Sequence, residues 1–140
     1  MQLHLEEIKR VLAAVQEIAA CYLFGSMVRQ EAVVNDLDLL ILNRPEADAG
    51  KAIWELTRQI SESTDIEADR VDILQFDLQQ ADPTVLYRAV TEGVLLKNEL
   101  PDLLTDKIED LSRYLVEHEY LISEAKRLRN ELIKEFSADG

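Results

Sequence analysis

Three aspartates, a Gly-Ser pair and an arginine carry the chemistry this sequence can offer. Asp36 and Asp38 stand two positions apart in the stretch Asp36-Leu37-Asp38-Leu39-Leu40-Ile41-Leu42. On an extended strand that spacing sends both carboxylates to one face, while Leu37, Leu39 and Ile41 take the other. Packing gives no reason for two acids at the start of a segment that then turns wholly apolar. Closely paired carboxylates are costly unless something positive sits between them. Mg2+ is the natural candidate, because it takes oxygen ligands and binds through one or two carboxylates plus substrate phosphates. Gly25-Ser26 follows a short apolar run. The glycine lets backbone approach a ligand, and the serine at a helix start offers donors to a phosphate. Arg29, one turn on, can add a charge-assisted bond. Asp72 lies between Val71 and Ile73 in a third apolar segment. Beside Asp36 and Asp38, it completes the carboxylates of a two-metal phosphoryl- or nucleotidyl-transfer site. A tyrosine or serine hydroxyl is barely ionised at neutral pH, and Asp72 is the candidate to take its proton. Asp77 and Asp82 are poorer candidates, falling in a loop and at a helix cap.

The elements that must position these residues follow from periodicity. Leu5, Ile8, Val11, Leu12, Val15 and Ile18 recur at helical spacing and predict an amphipathic helix over 3–19. Residues 20–24 read as a buried strand closed by the Gly25-Ser26 turn, with one or two helical turns over 27–32. Residues 36–42 read as a second strand that Pro45 ends, and 46–63 as a second long helix. A third strand is expected over 70–76. Asp82-Pro83 looks like an N-cap with proline at the first helical position, opening a helix to about Thr91. Val94-Leu95-Leu96 forms a short fourth strand, and a long helix runs from Asp102 to about Phe136. Strands alternating with helices predict an α/β (α+β) fold over residues 1–98, a mixed four-stranded sheet flanked by helices, with a helical extension at 99–140.

Composition narrows the partners. The 140 residues carry 15 basic and 28 acidic side chains, a formal charge of −13. A surface that acidic argues against direct nucleic-acid binding, yet it permits a basic protein partner and nucleotides bridged by a cation. A single cysteine, Cys21, excludes an internal disulfide framework and suits the cytoplasm. No apolar run approaches a membrane span, and Met1–Lys9 lacks the layout of a signal peptide.

The stretch from Gly25 to Leu39 resembles a known family. Gly-Ser, a spacer, Asp-x-Asp on a strand and a further Asp on a later strand look like the polymerase-β-type nucleotidyltransferases, and most like their small MNT (minimal nucleotidyltransferase) group. The matching positions are Gly25, Ser26, Arg29, Glu31, Ala32, Asp36, Asp38 and Leu39. Val28, Gln30 and Asn35 stand where Ala, Gly and Ser are usual, and the spacer before Asp36 is one residue short. The resemblance covers residues 5–98. It implies a polymerase-β-like fold and Mg2+ held by Asp36, Asp38 and Asp72. It also implies nucleotide contacts from Gly25, Ser26 and Arg29, and proton removal by Asp72. It further implies ATP as the nucleotide donor and, as partner, a HEPN-type toxin whose tyrosine receives AMP. An antitoxin that acts by binding alone and a transferase for a small-molecule hydroxyl are the alternatives.

Other features read as structural. Cys21 is expected as a small buried residue and Trp54 as core, while Glu62, Asp65, Glu67 and Asp69 read as a solvated loop. Arg113 and His118 have the Arg-x4-His spacing of HEPN ribonucleases, followed by Glu119 and Tyr120. On an unbroken helix, positions five apart differ by about 140° and do not converge. From Leu104 the apolar residues follow three-and-four spacing for longer than a domain of this size is wide. Part of that face is expected to serve another chain, unless the helix folds back near His118.

Overall fold

The computed structural model describes residues 5–25 and 36–139, with side chains through Glu135. The chain forms α1 (Leu5–Ala14), β1 (Ile18–Phe24), β2 (Leu37–Asn43), α2 (Ala49–Ser63), β3 (Val71–Gln75), α3 (Pro83–Glu92), β4 (Val94–Asn98) and α4 (Pro101–Asp139). A 3-10 turn at Ala68–Arg70 leads into β3. The expected order of elements is present. The turns expected over 27–32 lie outside the described residues.

The strands form one mixed sheet in the order β3-β2-β1-β4. β1 runs antiparallel to both β2 and β4, and β2 runs parallel to β3, as a crossover through a helix requires. Each strand's alternation splits its side chains between two layers. Cys21, Leu23, Leu37, Leu39 and Ile41 pack with α1 and α2. Ala20, Tyr22, Leu40 and Leu42 pack with Leu86 and Ala89 of α3 and with Leu104 and Leu111 of α4. Leu12, Leu56 and Leu86 are fully buried, each worth about 1.5–3 kcal/mol. Burial pushes the Cys21 thiol up to about 12, so it serves as a small apolar residue and not as a nucleophile.

Local chemistry sets the helix ends. Asp48 accepts from the Lys51 N–H at 3.1 Å and starts α2, and Asp82 accepts from the Thr84 N–H at 2.9 Å with Pro83 following. Two expectations are corrected. α1 stops at Ala14 and not at 19, because Val15 closes the last turn and Ile18 already belongs to β1, whose first six residues are all buried. Both apolar residues serve the core, so helical spacing overstated the helix. Trp54 is 64% exposed, not core. α2 buries Ala52, Leu56 and Ile60, and position 54 lies near the opposite side, where Arg58 sits 5.6 Å from the indole centroid. The acids Glu62, Asp65, Glu67 and Asp69 are exposed, as a solvated segment should be.

α4 is one helix with no fold-back at His118. Its first part is seated by Leu104 and Leu111, with Ile108 and Leu115 half-buried. From Val116 to Glu135 every residue is exposed except Glu124, which is half-buried. Arg113 and His118 lie on this unbroken helix. Arg113 is ion-paired with Asp110, and His118 is stacked on Tyr114. Among the described residues, no helix is long and apolar enough to cross a membrane.

Candidate active site

Strand register builds the site. The parallel ladder sets Asp38 of β2 directly opposite Asp72 of β3. Partners in a ladder share a face, so both acids stand on the α3–α4 side, at the ends where β2 and β3 begin. Asp38 is half-buried and Asp72 exposed. The antiparallel pairing with β1 puts Phe24 opposite Asp38, and Gly25 follows immediately. Thus the end of β1 and the starts of β2 and β3 meet at one end of the sheet.

Gly25 explains itself here. Its φ is +79°, a region that side-chain-bearing residues rarely adopt. A Cβ at this position would lie 2.9 Å from Cγ of Asp38 and overlap its Oδ2. The close approach expected between this glycine and a ligand is therefore first an approach to the Asp38 carboxylate. Any side chain at position 25 would displace that carboxylate.

Asp36 stands one residue before β2, exposed and outside the ladder that aligns Asp38 with Asp72. Among the described residues, no group of three or more His, Cys, Asp and Glu side chains is gathered closely enough to hold a metal ion. The register thus joins Asp38 to Asp72, while the three-carboxylate cluster is not drawn together. The donor set still suits a hard divalent cation, since it consists of carboxylate oxygens, two of them brought opposite each other by the backbone. Ser26 and Arg29 lie outside the described residues. Asp77 and Asp82 are engaged elsewhere, accepting from the Gln79 and Thr84 N–H groups. A cleft of about 500 Å3, lined by Asn43, Gln75, Asp77, Leu103 and Lys107 among others, opens at the far ends of β2 and β3, away from Asp38 and Asp72.

The opposite end of the sheet holds a group that sequence reasoning missed. Lys97 of β4 is buried, and its Nζ donates to the carbonyls of Leu12 (2.6 Å) and Val15 (3.1 Å) and pairs with Glu99 (2.8 Å). Arg44 bonds Glu99 at 2.8 Å and the Gln16 carbonyl at 2.8 Å. The Lys97 ammonium, then the Arg44 guanidinium, hold the Glu99 carboxyl below its usual range. The signal in the sequence was a lysine directly after the apolar run Val94-Leu95-Leu96.

Comparison with known proteins fits this geometry. The polymerase beta nucleotidyltransferase family matches residues 6–102. No curated protein is matched by the sequence. Among solved structures, a toxin–antitoxin MntA–HpeT variant with two aspartates changed to glutamate aligns with a TM-score of 0.59 at 21% identity, covering 86% of this chain and 97% of that one. A complex of a tri-AMPylated Shewanella oneidensis HEPN toxin with its MNT antitoxin aligns at 0.57 and 24% identity, covering 89% and 97%. A toxin–antitoxin structure with AMP-PNP aligns at 0.56 and 21% identity, covering 84% and 97%. These likenesses establish a shared fold. The family match spans well over half of the 140 residues, and the chain belongs to the polymerase beta nucleotidyltransferase family.

Proposed function

We propose that this chain is an MNT-type antitoxin that transfers AMP from ATP to a tyrosine hydroxyl of a HEPN-type toxin in the cytoplasm and thereby neutralises it. The observation that carries the reading is the register of Asp38 against Asp72 beside Gly25, in a chain of this family. Fold neighbours include an antitoxin bound to a tri-AMPylated HEPN toxin and a complex with AMP-PNP. In another neighbour, the two substituted aspartates have the same two-residue spacing as Asp36 and Asp38.

In this reading Asp36 and Asp38, joined by Asp72, hold Mg2+, which supplies charge neutralisation at the phosphates and lowers the pKa of a nearby hydroxyl. Gly25, Ser26 and Arg29 contact the nucleotide, and Asp72 takes the proton of the attacking hydroxyl. The hydroxyl oxygen bonds to the α-phosphorus, the bond from that phosphorus to the bridging oxygen breaks, and pyrophosphate leaves. Residues 1–98 are the transferase unit and residues 99–140 the extension used for protein association.

Incubation with labelled ATP, Mg2+ and a co-purified HEPN partner should place label on a partner tyrosine. Neutralisation of the partner without label would make the chain a binding antitoxin. Label on a small-molecule hydroxyl alone would make it a different transferase.

A further inference from the structure

β3 is an edge strand, paired with β2 on one side and with no strand of the described residues on the other. Strand parity fixes which of its backbone groups are left over. The Phe76 N–H, just past β3, donates to the Ile41 carbonyl of β2 at 2.9 Å. Alternate residues of a strand turn their N–H and C=O to the same side, so Asp72 and Leu74 also bond β2. Val71, Ile73 and Gln75 therefore face away from it. The Val71 N–H is used by the Ala68 carbonyl, and the Gln75 carbonyl by the Asp77 N–H. The Val71 carbonyl, both groups of Ile73 and the Gln75 N–H have no partner among the described residues. The sheet's other edge differs. β4 shifts register against β1 between Cys21 and Tyr22, and it carries Lys97. Bulges, lysines and prolines blunt an edge against pairing. β3 has none of them, and its five residues keep unbroken register with β2.

This free edge lies at the candidate site, because Asp72 is on β3. A chain added to the edge places alternate side chains on the face that carries Asp38 and Asp72. Opposite and diagonal neighbours across two strands lie within reach of an aromatic side chain. Charge indicates what kind of chain would be added. Glu67, Asp69 and Asp72 are exposed and make no ion pair among the described residues, and Arg70 is the single base between them. We propose that the acceptor reaches Asp72 as an extended, basic segment of the partner protein, which adds to the free edge of β3 as a fifth strand. The Ile73 N–H and carbonyl bond its backbone, and a hydroxyl-bearing side chain of the segment stands beside Asp72. Backbone bonds hold the segment whatever its sequence, and the acids favour lysine or arginine near the acceptor. About 10 Å further on, past Gln75, the edge leads to the cleft lined by Gln75, Leu78, Leu103 and Lys107, which can seat a later side chain of the segment. The inference rests on the transferase reading and adds how the acceptor is held.

Residue-by-residue amide exchange by NMR, on the full-length chain with and without the co-purified HEPN partner, tests the proposal. In the free chain the Ile73 and Gln75 amides should exchange fast and those of Asp72 and Leu74 slowly. Partner binding should slow Ile73 and Gln75 about tenfold or more. Gln75→Pro removes one free donor and no ladder bond, as a proline on an edge strand does when its nitrogen faces outward. It should raise the KM for the partner about tenfold, with ATP affinity and the rate at saturating partner kept. Glu67→Lys with Asp69→Lys should also raise that KM, more at low salt than at high. Ile73 and Gln75 amides that exchange equally with and without partner would overturn the proposal, and this measurement on wild type stands even where Gln75→Pro does not fold. An unchanged KM in either variant would overturn it too. Protection that grows with concentration of the chain alone would assign the edge to a second copy and likewise overturn it. Transfer to the partner with an unprotected edge removes this proposal alone, whereas a wild-type chain that puts no AMP on any hydroxyl removes the transferase reading with it.

Discussion

The two ends of the sheet use charge in opposite ways. At one end, Lys97 joins the last turn of α1 to Glu99, and Arg44 joins Glu99 to the segment after α1. Opposite charges and backbone carbonyls interlock there, and the result is cohesion. At the other end, the β2–β3 register sets Asp38 beside Asp72, and like charges directly opposite in a ladder disfavour folding. A fold keeps such a pairing when the repulsion serves a purpose. One end holds the sheet to its helices, and the other gathers two carboxylates where the strands begin.

Substitutions should separate the two. The largest effect is expected from Asp36→Asn combined with Asp38→Asn, which should abolish nucleotidyl transfer in a labelled-ATP assay. The same variant should keep the wild-type circular dichroism spectrum, because neither side chain belongs to the buried core. Transfer at the wild-type rate would place the chemistry elsewhere. Next comes Lys97→Met, which removes the ammonium shared by the Leu12 and Val15 carbonyls and Glu99, leaving the carbonyls to their backbone donors and Glu99 to Arg44. It should cost about 1–2 kcal/mol in urea unfolding and leave transfer by the folded enzyme unchanged. A silent Lys97→Met would show that the interlock is decoration. The smallest is Glu99→Gln, under about 1 kcal/mol, because Glu99 remains well exposed. Its sign is set by pH. The Glu99 carboxyl is held low in the folded chain, so its contribution is present above the ordinary carboxylate pKa of about 4.3 and is lost as pH falls through the folded value. The gap between wild type and Glu99→Gln should therefore close in acid, and a gap that widened would contradict the pairing.

Much of this contrast could be read from the sequence, and the missing part has a physical cause. Apolar periodicity located the four strands and four α-helices of the described residues, and an Asp-x-Asp at the head of an apolar strand marked Asp36 and Asp38. Asp72 followed from the expectation that strands joined by one crossover lie side by side, which β2 and β3 do. Local spacing does not reveal contacts between residues far apart in the chain. Lys97 meets Leu12 and Val15 across 85 and 82 positions, and Arg44 meets Glu99 across 55. The same holds for Gly25, whose need for a missing side chain comes from Asp38 on the neighbouring strand. Trp54 was misplaced because its neighbours Ile53 and Leu56 are apolar, whereas the buried face runs through Ala52, Leu56 and Ile60.

The account rests on Asp72 acting on the acceptor hydroxyl across the ladder from Asp38. Single-turnover transfer and ATP binding, both measured on Asp72→Asn, test it most directly. ATP affinity should stay within a few-fold of wild type, while the transfer step at saturating ATP falls by roughly a hundred-fold or more. Weakened ATP binding with an unchanged rate at saturation would make Asp72 a nucleotide ligand and contradict the role assigned to it.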